Sequence, residues 1–286
     1  MAVTPPVVLT IAGFDPSSGA GITADIKTIA AHECYGVSCI TALTVQSTQG
    51  VRRVEAVSPK TIAETLKELA ADIAVDAVHI GMMGNAQVVE VVGDFLGRVG
   101  PPHVVLDPIL KASSGAELLD SDGTRLLIET LLPLAEVVTP NLEEATILAG
   151  MPVTNLDQMR EAAGRLHSMG SANVVVTGGH LEKAIDLLSF STARGFEQEV
   201  FKVDRQRSSS THGTGCAFAT ALACHLAHGR GLPEAVLLSK AYVSAAIANA
   251  HPLGKGVGPL HHHYRMNQQR RQSMAASEPE HAHSRN

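Results

Sequence analysis

VVLTIAGFDPSSGAG, residues 7–21, decides the architecture. Residues 7–12 form an apolar, largely β-branched run of strand length. Gly13 and the turn formers Asp15-Pro16-Ser17-Ser18-Gly19 end it, and a helical pattern over 20–31 follows. An apolar run without alternation reads as a strand covered on both faces, and a helix straight after it predicts one βα unit of a parallel sheet. The pattern recurs downstream. Strand-like segments over 37–46, 77–80, 103–106, 137–139 and 173–176 alternate with helical ones over 59–71, 86–99, 124–132, 142–148 and 156–169. Residues 187–191 and 199–203 read as a β-meander, and helices over 215–228 and 233–250 close the series. The prediction is an α/β three-layer sandwich, a mostly parallel central sheet with helices on both faces. Ligands on such sheets bind beyond the carboxyl ends of the strands, so the turns at 13–21, 81–84, 107–111 and 178–180 are expected to converge. No internal repeat or linker appears, which predicts one domain over 1–265. The polar stretch 266–286 is expected to be a disordered tail.

Composition removes several function classes. The 286 residues are 45% hydrophobic, enough for a sizeable core. A net charge of −6 argues against a nucleic-acid partner held by phosphate neutralisation and against a basic membrane-surface module. Aromatics are 3% with no Trp, so base-stacking platforms and aromatic cages are not expected. The apolar runs are too short to span a bilayer, and no secretory leader pattern opens the chain, so a cytoplasmic protein is predicted. Cys34, Cys39, Cys216 and Cys224 form no C-x-x-C pair, which fits free thiols in a reducing compartment.

Ser210-Thr211-His212-Gly213-Thr214-Gly215-Cys216 runs directly into an alanine-rich helical stretch. A helix start leaves backbone N–H groups unpaired and carries partial positive charge, and glycines let a phosphate come close. The same field predicts a lowered pKa for the first-turn thiol of Cys216. A phosphate cradle beside an activated thiol points to phosphoryl transfer; the other reading is an ordinary glycine-rich helix start. The 13–21 turn is neither G-x-G-x-x-G nor G-x-x-x-x-G-K-[ST], and the chain has no such Walker motif, so a nucleotide would be held without a P-loop. Asn141 and Glu144, three apart in Thr139-Pro140-Asn141-Leu142-Glu143-Glu144, suit either a hydrated Mg²⁺ or a helix capping box, and the spacing alone favours the cap. Asp107 is a ligand contact or a turn former, and His212 caps its loop or meets a substrate. His261-His262-His263 lies outside any H-E-x-x-H or Cys/His metal spacing, so a zinc enzyme is not expected. Cys224 reads as a small buried apolar residue.

Taken in order, these segments resemble the bacterial hydroxymethylpyrimidine/phosphomethylpyrimidine kinases of the ribokinase-like superfamily. The likeness opens on Thr10-Ile11-Ala12-Gly13-Phe14-Asp15-Pro16-Ser17-Ser18-Gly19-Ala20-Gly21-Ile22-Thr23-Ala24-Asp25. It continues through Ile40-Thr41-Ala42-Leu43-Thr44-Val45-Gln46, Ile80-Gly81-Met82, Val105-Leu106-Asp107-Pro108, the Asn141–Glu144 segment, Gly178-Gly179-His180 and Thr211-His212-Gly213-Thr214-Gly215-Cys216. The resemblance implies a ribokinase-like fold, a homodimer, and two successive transfers from ATP with Mg²⁺, with K⁺ a candidate activator. The first would phosphorylate the hydroxymethyl oxygen of 4-amino-5-hydroxymethyl-2-methylpyrimidine and the second the resulting monophosphate, for thiamine biosynthesis. It implies that Gln46 hydrogen-bonds the pyrimidine while Gly13, Asp15, Ala20, Met82 and Ile109 shape its pocket. It assigns Asp107, Asn141 and Glu144 to Mg²⁺, and Asn141, Thr177, Gly179 and His180 to the nucleotide. Gly213, Thr214 and Gly215 match an anion hole, and Cys216 stands where most of the superfamily places an aspartate general base.

Two positions depart from the pattern. Thr177 stands where Lys is common, so Lys183 or Lys111 would have to supply that cation. Phe14 replaces a small hydroxyl residue beside the pocket. The rival readings are a pyridoxal-type kinase, a catalytically silent pyrimidine-binding protein, and a Cys-His hydrolase with Cys216 as nucleophile. Gln46 and Met82 favour the pyrimidine, and no hydrolase signature is present.

Overall fold

The computed structural model of the chain describes residues 4–112, 115–179, 184–203 and 208–266. Among the described residues nine strands run β1 (Val7–Phe14), β2 (Tyr35–Ser47), β3 (Gly50–Ala56), β4 (Ala77–Ile80), β5 (Val104–Leu106), β6 (Val137–Val138), β7 (Asn173–Gly178), β8 (Ala184–Thr192) and β9 (Gly195–Val203). They form one sheet in the order β3-β2-β1-β4-β5-β6-β7-β8-β9. The six central strands from β2 to β7 are parallel, while β3 at one edge and β8 and β9 at the other pair antiparallel.

Side chains along a strand point alternately to opposite faces, and here both faces are buried. Leu9, Ile11, Val104, Leu106, Val138, Val174 and Val176 join one core, and their neighbours Val8, Val105, Val137 and Val175 join the other. The first core is covered by α2 (Pro59–Asp72), α3 (Ala86–Val99), α5 (Leu142–Ala149) and α6 (Leu156–Ser168). The second is covered by α1 (Gly21–Ala31), α7 (Thr214–Ala227) and α8 (Leu232–Ala248). Every residue of α7 from Cys216 to Leu226 is buried. Its run of alanines lets it lie close under the sheet between α1 and α8.

Three differences from the sequence reading have physical causes. Residues 50–56 form β3, which the sequence reading left out; this edge strand is half exposed and carries Arg52, Arg53 and Glu55, so it lacks an apolar run. The helix expected over 124–132 starts earlier as α4 (Ser121–Leu126), with Asp120 accepting from Gly123 N–H. It then loosens into a π turn over Leu127–Leu131 and a 3₁₀ turn over Leu132–Leu134, where Pro133 has no N–H to continue an α-helix. The meander is longer than expected, with nine residues in each of β8 and β9. The expected tail lies outside the described residues apart from Met266. Among the described residues no helix is long and apolar enough to cross a membrane.

The junction of α1, α7 and α8 buries three imidazoles. His32 lies edge-on to His225 and to Tyr242, and His262 Nδ1 is 3.1 Å from Thr28 Oγ1. Burial is the leading cause that pushes His32 and His262 down to about 4 and His225 down to about 3. A histidine with a folded pKa below its unfolded value of about 6.5 supports the fold fully above that pH. The support is lost as pH falls from about 6.5 toward 4, because the unfolded chain takes up protons first. Asp107 and Glu144, whose folded pKa values are raised to about 8 and about 7, act in the opposite sense over this interval. Three imidazoles outweigh two carboxyls, so thermal unfolding followed by circular dichroism should give a Tm that drops between about pH 6.5 and about pH 4. A flat Tm across that interval would contradict the burial of neutral imidazoles.

Candidate active site

Two helices begin here without a side-chain cap. In α2, α3, α5 and α6, the side chains of Ser58, Asn85, Asn141 and Asn155 accept from first-turn N–H groups. α1 follows Ala20 and α7 follows Gly213 with no such cap and no acidic residue in the first turn. Thr214 N–H reaches back to Thr211 O at 3.4 Å, and the positive dipole ends of both helices lie at this point. The two starts meet: Gly21 N–H hydrogen-bonds the thiol of Cys216. Gly213 has φ 80, and a Cβ there would lie 1.9 Å from the Gly19 carbonyl oxygen. Backbone therefore packs on backbone, which only glycine permits. Asp107 arrives from the end of β5, its Oδ2 3.6 Å from where a Cβ on Gly215 would stand.

Acid groups crowd this point. Asp107 and Glu144 are both buried. Burial, then the charge of Glu144, pushes Asp107 up to about 8. Burial pushes Glu144 up to about 7 against hydrogen bonds from the Asn141 and Leu110 N–H groups. The Asn141 amide oxygen accepts from Glu143 and Glu144 N–H while Glu144 Oε2 accepts from Asn141 N–H at 2.9 Å, so the capping box is formed. A buried polar network lies alongside: the Thr10 and Thr220 hydroxyls donate to Asp25 at 2.7 and 2.9 Å, and His79 Nδ1 sits 3.4 Å from Asp25 Oδ2. Burial opposes charge on His79, yet Asp25 and Asp107 together hold its pKa above the ordinary value.

The lowered pKa expected for Cys216 is corrected by this setting. The thiol is buried, and burial with the nearby charges of Asp107, Asp25 and Glu144 pushes it well above the usual thiol value, with the Gly21 N–H only partly opposing. In the free protein Cys216 is a neutral thiol. The donor chemistry around it suits a hard divalent cation, since two buried, mutually repelling carboxylates want positive charge. Among the described residues no group of three or more His, Cys, Asp or Glu side chains forms a metal cage.

The pocket-side residues come together around the 13–21 turn. Asp15 is buried and accepts from Ser17 N–H and hydroxyl, Gly19 N–H and Ala20 N–H. Burial would raise its pKa, but hydrogen bonds from His212 and Ser17 hold it below the ordinary value. Met82 packs so tightly on Gly13 that a Cβ there would lie 2.8 Å from its Sδ, and Ile109 packs in the same small apolar cluster as Met82. Gln46 reaches the site from β2 and contacts Thr44 and His212.

Of the residues expected to hold a nucleotide, Thr177 donates its N–H to Pro140 O at 2.9 Å, which sets it beside Asn141. Gly179 is exposed past the end of β7. His180 and Lys183 lie outside the described residues. Lys111 lines a 480 Å³ cavity with Leu110, Glu117, Arg125 and Ile147. Among the described residues a buried cation, Lys240, is linked to Thr177 through Asp186. Lys240 Nζ lies 2.6 Å from Asp186 Oδ2, and Asp186 stands opposite Thr177 and accepts from Gly178 N–H. A lysine inside the apolar run of α8 was its only sequence signal. Asp25, His79, Thr10 and Thr220 carried no signal beyond polar residues in buried segments.

The family model described as phosphomethylpyrimidine kinase matches residues 15–261. A thiamine biosynthesis bifunctional protein of Geobacter sulfurreducens is 44% identical over 89% of this chain. The match covers 52% of that protein, so the chain spans about half its length. The hydroxymethylpyrimidine/phosphomethylpyrimidine kinase of Streptomyces coelicolor is 40% identical over 91% of this chain and 95% of its own. Among solved structures, an ADP complex of Bacillus subtilis pyridoxal kinase superposes with a TM-score of 0.83 at 34% identity, covering 92% of this chain and 100% of that one. A phosphomethylpyrimidine kinase from Clostridium difficile gives 0.75 at 36% identity, covering 85% and 99%.

Proposed function

Because the chain belongs to the phosphomethylpyrimidine kinase family, we infer that it performs the reactions named for its relatives. It transfers phosphoryl groups from ATP to 4-amino-5-hydroxymethyl-2-methylpyrimidine, giving the monophosphate and then the diphosphate for thiamine biosynthesis. The observation that supports this most is the meeting of two uncapped helix starts at Cys216, beside the buried pair Asp107 and Glu144. Phosphoryl transfer asks a protein mainly for positioning and charge stabilisation, and this arrangement offers both.

The N–H groups of Gly213, Thr214 and Gly215 take the charge that develops on the moving phosphoryl group. Asn141, Thr177, Gly179 and His180 hold the nucleotide. Asp107, Asn141 and Glu144 would hold Mg²⁺, which supplies charge neutralisation to the carboxylates and to the phosphates. Gln46 bonds the ring of the substrate, with Gly13, Asp15, Ala20, Met82 and Ile109 around it. In this reading the protein works in the cytoplasm as a homodimer, and K⁺ is an activator to be tested.

Once positive charge balances the carboxylates that keep its thiol neutral, Cys216 loses its own proton to solvent, and the resulting thiolate takes the proton of the hydroxymethyl group in the first transfer. The second transfer starts from a phosphate oxygen that is already anionic. Cys216→Ala should therefore slow the first transfer by about 10²-fold or more and leave the second within a few-fold. Single-turnover rates for each step check this, and equal loss in both would remove Cys216 from the role of proton acceptor.

The likeness to solved pyridoxal kinases supports a second reading, in which pyridoxal is the preferred ring. ADP release can be followed with hydroxymethylpyrimidine, its monophosphate and pyridoxal in parallel. Turnover of both pyrimidines with pyridoxal poor is the expected result. Pyridoxal turnover alone would move the assignment, and no ADP with any of them would leave a silent binding protein.

A further inference from the structure

His212 has no part in the reading above, yet its place is closely determined. A Cβ on Gly19 would lie 2.3 Å from His212 Cδ2, so the turn leaves this space to the imidazole. Its backbone N–H donates to Gly258 O at 3.0 Å. Its Nε2 lies 2.8 Å from Asp15 Oδ2 and 3.2 Å from one end of the Gln46 amide. The other end of that amide is 3.1 Å from Thr44 Oγ1, which is itself 2.9 Å from Phe14 O.

The amide is placed with Nε2 toward His212 and Oε1 toward Thr44, and counting protons turns it over. Phe14 O only accepts, so it takes the single hydroxyl proton of Thr44, and Thr44 Oγ1 is left to accept from Gln46. Asp15 accepts from four other donors, as an ionised carboxylate does, so His212 Nε2 must bring it a proton. The single Nε2–H lies between Asp15 Oδ2 at 2.8 Å and the nearer end of the Gln46 amide at 3.2 Å and is shared by both as a three-centre bond, so that amide end is an oxygen. Both ends therefore place the Gln46 NH₂ toward Thr44 and Oε1 toward His212. The reverse, with Nε2 on His212 and Oε1 on Thr44, sets two donors face to face and asks one hydroxyl for two protons.

We propose that His212 and Thr44 are positioning residues that lock the polarity of the Gln46 amide and thereby decide which heteroaromatic ring the pocket selects. The proposal rests on the assignment of Gln46 to the ring substrate. A locked amide offers one N–H and one lone pair in fixed order at its free edge. An aminopyrimidine carries the complement, an amino N–H beside a ring-nitrogen lone pair. The phenol oxygen and ring nitrogen of pyridoxal are not neighbours of that kind. An unlocked amide turns to either order and gives up part of the discrimination.

The test compares wild type, His212→Leu, His212→Gln and Thr44→Val. It measures kcat and KM for the hydroxymethyl aminopyrimidine and for pyridoxal, and the calorimetric Kd of the aminopyrimidine without ATP. His212→Leu and Thr44→Val should each lower the pyrimidine-over-pyridoxal ratio of kcat/KM about 10-fold, through KM and Kd, with kcat nearly unchanged. His212→Gln keeps an N–H donor and should recover most of the ratio. A proportionate loss on both rings, or a Gln variant no better than Leu, would overturn the lock. Should His212→Leu not fold, the shape-preserving Thr44→Val decides alone. A wild type that prefers pyridoxal would contradict the pyrimidine assignment itself. An unchanged ratio in the variants, with wild-type preference intact, would contradict only the lock.

Discussion

Gly213→Ala is expected to cut phosphoryl transfer by roughly 10²–10³-fold, the scale of losing a backbone donor to a developing anion. The cause is geometric. Gly213 holds φ 80 as the residue before α7, a region that costs an L-residue about 1–2 kcal/mol. The added Cβ would also sit 1.9 Å from Gly19 O, a backbone atom that cannot swing aside as a side chain end would. Relief requires the start of α7 to move away from the 13–21 turn, which takes the N–H groups of Thr214 and Gly215 with it. Gly97→Ala is the control: it lies in the last turn of α3 with nothing within 4 Å of the new methyl, so its activity should match wild type. Steady-state kcat/KM of the two variants checks this. A Gly213→Ala protein active within a few-fold of wild type would show that the backbone contact with Gly19 does not set the cradle.

Lys240→Ala should be the most destabilising single change, by about 3–5 kcal/mol, because it strands Asp186 in the interior. The pair is 2.6 Å apart with each side chain 7% exposed, so water cannot replace the lost ammonium. At roughly 2 °C per kcal/mol for a chain of this size, Tm should fall by about 6–10 °C. Asp186 also holds Gly178 N–H opposite Thr177, so the end of β7 should loosen and the KM for ATP should rise. The double variant Lys240→Met with Asp186→Leu removes both charges and should regain most of the stability but not the ATP affinity. Urea unfolding and ATP titration of the single and double variants separate these effects. A loss under about 1 kcal/mol for Lys240→Ala would mean that the pair is not a buried anchor.

The parallel sheet could be read from residues 7–12, 77–80 and 173–176 because strands buried on both faces appear as unbroken apolar runs. β3 escaped because its half-exposed face mixes Val51 and Val54 with charged residues. The uncapped glycine-rich start of α7 was legible for a similar local reason, since Gly213, Thr214, Gly215 and Cys216 are consecutive. Contacts made only by folding were not. Asp15 and His212 are 197 positions apart, Asp25 and Thr220 are 195 apart, and no local pattern joins Asp186 to Lys240. The thiol of Cys216 was misjudged for the same cause. The field of its own helix is visible in the sequence, whereas the carboxylates of Asp107 and Glu144 reach it from other elements.

Phosphorus NMR of the wild-type protein with MgATP and hydroxymethylpyrimidine tests the central reading most directly, because it sees each phosphate ester as it forms. A phosphomonoester signal that rises first and then gives way to a diphosphate pair, with ADP accumulating in step, is the predicted course. ATP loss without any pyrimidine ester, or a monophosphate that never proceeds to the diphosphate, would contradict it.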